Sequence, residues 1–180
     1  MTLEEAMAQR RSVREYTQET LTLAETGQIL WAAQGITSDQ GRRTAPSAGA
    51  RYPLEVYAVS ERAAYRYLPD DHRLLVHIEG DRRPQLHQAA LQQGPVLQAP
   101  LVIVITAVFE RTSARYGEQR TPRYVHMEAG HAGQNILLQA VALGLAAVPV
   151  GAFYDDEVRQ ALALPAGEQP LYIIPIGHPR

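Results

Sequence analysis

Pro100-Leu101-Val102-Ile103-Val104-Ile105 decides the fold of this 180-residue chain. Five aliphatic residues follow the proline without a polar interruption. That pattern fits a strand buried on both faces, since a strand with one wet face alternates apolar and polar residues. Working outward, residues 171–176 read as a final strand broken only by Pro175, and residues 54–60 as an earlier one. Residues 64–68 and 74–78 flank Pro69-Asp70-Asp71-His72, which reads as a hairpin.

Helical signals surround these strands. Thr2 and Glu5 stand at capping-box spacing and open a helix to about residue 10. Thr22 and Glu25 repeat that spacing. Leu23, Ile29, Leu30 and Ala33 then carry an amphipathic helix to about Gln34, with Gly35 placed to end it. Residues 84–93 read as a short helix. The longest helical pattern runs from about Tyr124 to Leu145, and Ala129, Gly130, Ala132 and Gly133 let another helix approach it closely. Asp155 and Asp156 read as the cap of a helix to about Leu164. Residues 35–53 and 110–124 read as loops. The first holds Gly35, Gly41, Pro46, Ser47, Gly49 and Pro53, and a loop that long in a compact domain is functional or disordered. The element order suggests one α+β sandwich over residues 1–180 rather than a strict βαβ alternation.

Composition removes several chemistries. Without cysteine there is no disulfide, no thiolate nucleophile and no Cys-based zinc or iron–sulfur site. Without lysine there is no Schiff base and no P-loop, so all 17 basic residues are arginines. A bound phosphate must then be held by arginine or by backbone N–H groups. The net charge of −2 argues against a general nucleic-acid binder. No apolar run reaches the ~18 residues of a membrane span, and the acidic start Met1-Thr2-Leu3-Glu4-Glu5 has no apolar signal region. A soluble, cytoplasmic protein without a membrane or nucleic-acid partner is the expectation.

Five constellations stand out. Gln9-Arg10-Arg11-Ser12-Val13-Arg14 packs three arginines and a hydroxyl just past a helix. Arginine forks match phosphate oxygens, and residues 10, 12 and 14 share one side of an extended segment; a solvated charged turn is the plain alternative. Ala45-Pro46-Ser47-Ala48-Gly49 is not a nucleophile elbow, because Ala45 stands where the first glycine belongs and no strand precedes it. It reads as a plain turn or as a small-residue loop that lets a flat ligand reach backbone. Glu128-Ala129-Gly130-His131 lacks H-E-x-x-H, and His126 and His131 do not share a helix face, so no metal site is expected. Pro149-Val150-Gly151-Ala152-Phe153 offers an accessible glycine N–H between a short strand and a capped helix. The tail ends in Arg180, which either reaches an anion or frays.

In order, these segments resemble the FMN-dependent nitroreductase superfamily, and within it the SagB-type dehydrogenase branch. The resemblance rests on residues 10–14, 45–57, 128–135, 142–146, 149–153 and 174–179, which together span nearly the whole chain. It implies a three-layer α+β sandwich with a central, mostly antiparallel sheet, and an intertwined homodimer with FMN at the interface. Arg10, Arg11, Ser12 and Arg14 match the motif that grips the FMN phosphate and ribityl chain, and Arg180 stands near the family's C-terminal basic ligand. Pro46, Ser47 and Ala48, with Gly49 beside them, match the loop covering the flavin from the partner subunit. Pro149, Val150, Gly151 and Ala152 match the loop under the isoalloxazine, with the Gly151 N–H toward flavin N5, and Gln93 matches the polar residue at the pyrimidine edge. The small residues at 129–133 then become a close-packed dimer helix.

The implied activity is NAD(P)H-dependent reduction of nitroaromatic or quinone-type acceptors in one shared ping-pong pocket. The alternatives are a SagB-type dehydrogenase oxidising a peptide azoline or related ring, and a flavin-binding protein without turnover. Azoline oxidation in that branch uses a Lys-Tyr pair. The nearest matches here are Arg115-Tyr116 and Arg123-Tyr124, which leave Tyr116 or Tyr124 as the acid.

Overall fold

The computed structural model describes residues 1–180. Helices α1 (Leu3–Gln9) and α2 (Leu23–Gln34) open the chain, and strands β1 (Leu54–Val59), β2 (Ala63–Leu68) and β3 (Arg73–Glu79) follow. Helices α3 (Arg83–Ala89) and α4 (Gly94–Gln98) lead into β4 (Leu101–Val108). Then come α5 (Glu110–Tyr116), α6 (Thr121–Ala142), the two-residue β5 (Ala146–Ala147), α7 (Asp155–Ala161) and β6 (Glu168–Gly177).

The strands form one six-stranded sheet in the order β3-β2-β1-β4-β6-β5, with every neighbouring pair antiparallel. Strand β4 lies inside it, with Ile105 opposite Val56 of β1 and Ile103 opposite Ile174 of β6. Its alternate residues enter two separate cores. Leu101, Ile103, Ile105 and Ala107 pack with Ile29 and Leu30 of α2 and with Val125 and Ile136 of α6. Val102 and Val104 pack on the other side with Leu86 of α3, Val96 of α4 and Val158 of α7. The result is the expected three-layer α+β sandwich, and helices on both faces explain why β4 shows no polar alternation. Each fully buried Ile or Val contributes about 1.5–3 kcal/mol.

Both capping boxes form. The Thr2 hydroxyl accepts from the Glu5 N–H at 3.2 Å while the Glu5 carboxylate accepts from the Thr2 N–H at 2.8 Å. Thr22 and Glu25 repeat the exchange at 3.2 and 2.7 Å. Each cap is worth about 1 kcal/mol.

Three expectations are corrected. Residues 110–116 form a helix, not a loop. It buries only Thr112, so no apolar stripe marks it, and Gly117 ends it at φ 73°. Helix α6 starts at Thr121 with a proline in its first turn, ahead of the expected Tyr124. Tyr154 is the N-cap of α7, which ends at Ala161; Asp155 and Asp156 lie in its first turn, where their charge meets the helix dipole. Apart from these corrections, the small residues of α6 also pack closely within the chain. Ala129 and Ala132 sit in the core shared with α2, and a Cβ on Gly133 would lie 3.8 Å from Ile174 of β6. Gly130 alone of the four faces open space.

Candidate functional site

The segment after α1 is extended and joins β5, with the Val13 N–H donating to the Ala147 carbonyl at 3.1 Å. Val13 packs toward the core, so Ser12 and Arg14 on either side are exposed. Arg14 makes only a long 3.4 Å contact to the Ser12 carbonyl, and Arg10 forms no ion pair. Arg11 is more committed. Its Nη1 donates to the carbonyls of Ala8 and Arg10 at 2.9 and 2.8 Å, serving groups left open at the end of α1. The chain's two ends then meet: Tyr16 bridges Pro179, and the Thr17 N–H donates to the His178 carbonyl at 2.9 Å. Arg180, exposed, is thereby carried toward the arginine segment. Gly177 permits this closure, since a Cβ there would sit 2.8 Å from Pro100 and 3.0 Å from Tyr16.

The 149–152 loop is fixed from two sides. Val150 bridges Ile173 of β6, and Gln93 Nε2 donates to the Ala152 carbonyl at 2.9 Å. Gln93 follows Leu91 and Gln92, both left-handed at φ 56° and 57°. Gly151 is exposed with nothing within 4 Å of a built Cβ, and its N–H donates to no group of the chain. A free backbone donor on a braced loop suits a flat acceptor-bearing ligand.

A second cluster forms at the opposite end of α6. The Ser47 hydroxyl accepts from the Tyr52 N–H at 2.9 Å, closing the turn that Pro46 begins. Gly49, Ala50 and Tyr52 all have positive φ, at 58°, 51° and 45°. Non-glycine residues held there cost about 1–3 kcal/mol each and cluster at functional loops. Gly49 also allows a close approach, because a Cβ would lie 2.7 Å from the Tyr116 hydroxyl. Tyr116 meets Tyr124 edge-on with ring centroids 4.8 Å apart. Glu128 lies one turn along α6, 2 % exposed, with Oε1 lacking any partner. Burial pushes its carboxyl up to about 7, against the opposing pull of Ser47 and Arg43.

The candidate residues thus fall into two separate groups. Residues 10–14, the 149–152 loop, Gln93 and the C-terminus belong to one, while residues 46–49, Tyr116 and Tyr124 form the other. Ser47 neighbours Glu128, whereas Arg11 lines a cavity with Leu137 and Val141. Along α6 those positions are about 14–20 Å apart and on nearly opposite faces.

The sequence profile of the nitroreductase family matches residues 7–178. The chain belongs to the nitroreductase family. A Methanocaldococcus jannaschii protein assigned as a nitroreductase is 45% identical over 181 residues, covering 97% of this chain and 90% of that protein. The crystal structure of a Ralstonia eutropha protein assigned to the same class superposes with a TM-score of 0.89 at 26% identity, over 100% of this chain and 84% of that one. The trifolitoxin-processing protein of Rhizobium leguminosarum bv. trifolii is 32% identical over 119 residues. That match covers 61% of this chain and 32% of that protein, so the chain spans about a third of its length.

As a nitroreductase-family member the chain is an oxidoreductase. The second group also holds Glu128, to which its motif gave no role. Glu128 falls on the buried stripe of α6 with Val125, Ala129 and Ala132, so helical periodicity alone places a carboxylate in the core. Gln34, Arg43, Glu55 and Arg111 were also missed. They come from separate elements, and no spacing in the sequence links them. No helix of this nitroreductase-family chain is long and apolar enough to cross a membrane.

Proposed function

We propose that the chain is a single FMN-binding domain, acting as a cytoplasmic homodimer that reduces nitroaromatic or quinone-type acceptors with NAD(P)H. The observation that carries this reading is the Gly151 N–H, exposed and unpartnered on a loop braced by Val150 and Gln93. FMN, when bound, supplies two-electron hydride chemistry that no side chain of this composition provides.

The residues fit the cofactor. Arg10, Arg14 and Arg180 offer exposed guanidinium groups for a phosphate dianion in a chain without lysine, with Arg11 beside them and the exposed Ser12 hydroxyl available to hold the ribityl chain. The backbone of Pro149, Val150, Gly151 and Ala152 would give the ring a small, flat support, and the open Gly151 N–H would be the donor available to N5. Gln93 is held at the edge of that loop, its amide oxygen uncommitted. Pro46, Ser47, Ala48 and Gly49 cover the ring from a second copy. The separation of the two groups along α6 supports this, since one chain does not bring them to one ring. Tyr116 and Tyr124 border that cover and would be the acids to protonate an acceptor there. NAD(P)H and the acceptor use one pocket in turn, so the oxidised donor leaves before the acceptor enters.

The match to the trifolitoxin-processing protein favours one further reading, a SagB-type dehydrogenase acting on a peptide azoline or related ring. Visible absorption of the purified protein, followed by anaerobic NADH and NADPH, separates them. A yellow protein bleached by either nucleotide supports the reductase. A yellow protein that stays oxidised moves the reading to the dehydrogenase, or to flavin binding without turnover. A protein that remains colourless after soaking with FMN refutes the cofactor and every residue role above.

A further inference from the structure

Another cavity, of about 230 Å³, opens where β1, the β2–β3 hairpin and the end of α2 meet. That is far above the ~10–15 Å³ that holds one water molecule. Three arginines from three different elements turn toward it. Arg66 pairs with Glu55 at 2.9 Å, and Arg111 pairs with the other Glu55 oxygen at 2.5 Å. Arg43 is not ion-paired. It donates through Nη1 to Gln34 Oε1 at 2.8 Å and stacks over the Tyr52 ring at 4.6 Å. Gln34 is 1 % exposed, and its Nε2 has no acceptor anywhere in the chain. A buried amide N–H left open is costly, so the site lacks an acceptor that the protein itself does not supply.

The charges of the lining set the class of that acceptor. Arg43, Arg66 and Arg111 face Glu55 and Asp70, which leaves one net positive charge. We propose that this cavity is a binding site for a small aliphatic monocarboxylate, one oxygen accepting from Gln34 Nε2 and the other from the free side of Arg43. A monoanion neutralises the surplus, whereas a phosphate dianion overshoots it beside two carboxylates. Leu54, Val56 and Pro69 provide an apolar wall for a short hydrocarbon tail. Burial works against the charge on Arg43, which a bound anion relieves. The site is also tied to the strained loop, because Arg111 Nη1 donates to the Tyr52 carbonyl at 3.1 Å and Arg43 covers that ring.

The test is calorimetric titration with propionate and, separately, inorganic phosphate at constant ionic strength. It uses the protein as purified and again after FMN loading, so loss of the flavin reading leaves this result standing. Saturable propionate binding in the millimolar range is expected, with phosphate at least tenfold weaker. Gln34→Leu and Arg43→Met should each weaken propionate at least fivefold, and Arg120→Met, on an exposed residue outside the cavity lining, should leave it unchanged. If Gln34→Leu does not fold, Arg43→Met decides alone. Absence of saturable propionate binding, binding equal in Arg43→Met and the native chain, or phosphate binding as tightly as propionate would each overturn the proposal.

Discussion

Glu128→Gln gives the sharpest test of how the second group is built. The native carboxyl ionises at about 7 in the folded chain, raised from 4.5 chiefly by burial. A group whose pKa is raised by folding holds a proton that the unfolded chain has already lost. Its stabilising contribution is therefore complete at low pH and is lost as pH rises from about 4.5 through 7. At about 1.4 kcal/mol per pKa unit, the ionised carboxylate costs the fold on the order of 3 kcal/mol by pH 8, but only about 1 kcal/mol at pH 5. Glutamine has the same shape and no charge at either pH. The variant's advantage should thus widen by about 2 kcal/mol across that range, or roughly 4–8 °C in Tm for a chain of this size. Thermal melts of both proteins at pH 5, 6, 7 and 8 measure it. A constant offset from glutamine's own hydrogen bonds does not matter, since only the change with pH is read. Parallel curves, agreeing within about 0.5 kcal/mol at every pH, would refute the argument that Glu128 is ionised at a desolvated position.

The remaining predictions concern the core and the braced loops. Ile103→Ala removes a fully buried side chain of the central strand and should cost about 2–5 kcal/mol in urea unfolding; a loss below 1 kcal/mol would contradict the close packing of both cores. Gly177→Ala forces a Cβ against Pro100 and Tyr16; it should cost about 1–3 kcal/mol and speed hydrogen exchange at the Thr17 amide, which is the clasp between the chain's two ends. Gln93→Ala removes the bond to the Ala152 carbonyl; stability should fall by no more than about 1.5 kcal/mol while FMN release, followed by fluorescence, quickens severalfold. Unchanged release would separate Gln93 from the cofactor loop. Arg14→Gln should leave the melting temperature within about 2 °C, because the side chain is exposed and without an ion pair, yet weaken FMN retention at least tenfold by equilibrium dialysis.

Much of the architecture was legible because its signals are local. Two capping boxes, a proline-led aliphatic run and a Pro-Asp-Asp hairpin each carry their own physical cause within a few residues. Helix α5 was not legible: its seven residues bury one threonine, so neither periodicity nor hydrophobicity sets it apart from a polar loop. Asp155 and Asp156 misled for a related reason. Aspartate suits both the cap and the first turn, and only backbone geometry puts Tyr154 in the capping position. The small residues of α6 indicated close packing, but whether against the same chain or another is a question of tertiary contacts.

By itself the sequence determined the chemistry open to this protein. A chain with neither lysine nor cysteine holds anions through arginine and backbone N–H groups, and its ordered motifs carry the nitroreductase resemblance. Only the tertiary structure decided which of those groups are free. Arg11 is occupied by helix-end carbonyls while Arg10 and Arg14 are not, and the Gly151 N–H stays open because Val150 and Ala152 take up the loop's own bonds. Likewise, Glu128 and Gln34 are buried with an unpartnered atom each. The reason is physical: identity fixes what a side chain can donate or accept, but burial and competition for partners arise from residues far apart in sequence, and no local spacing encodes them.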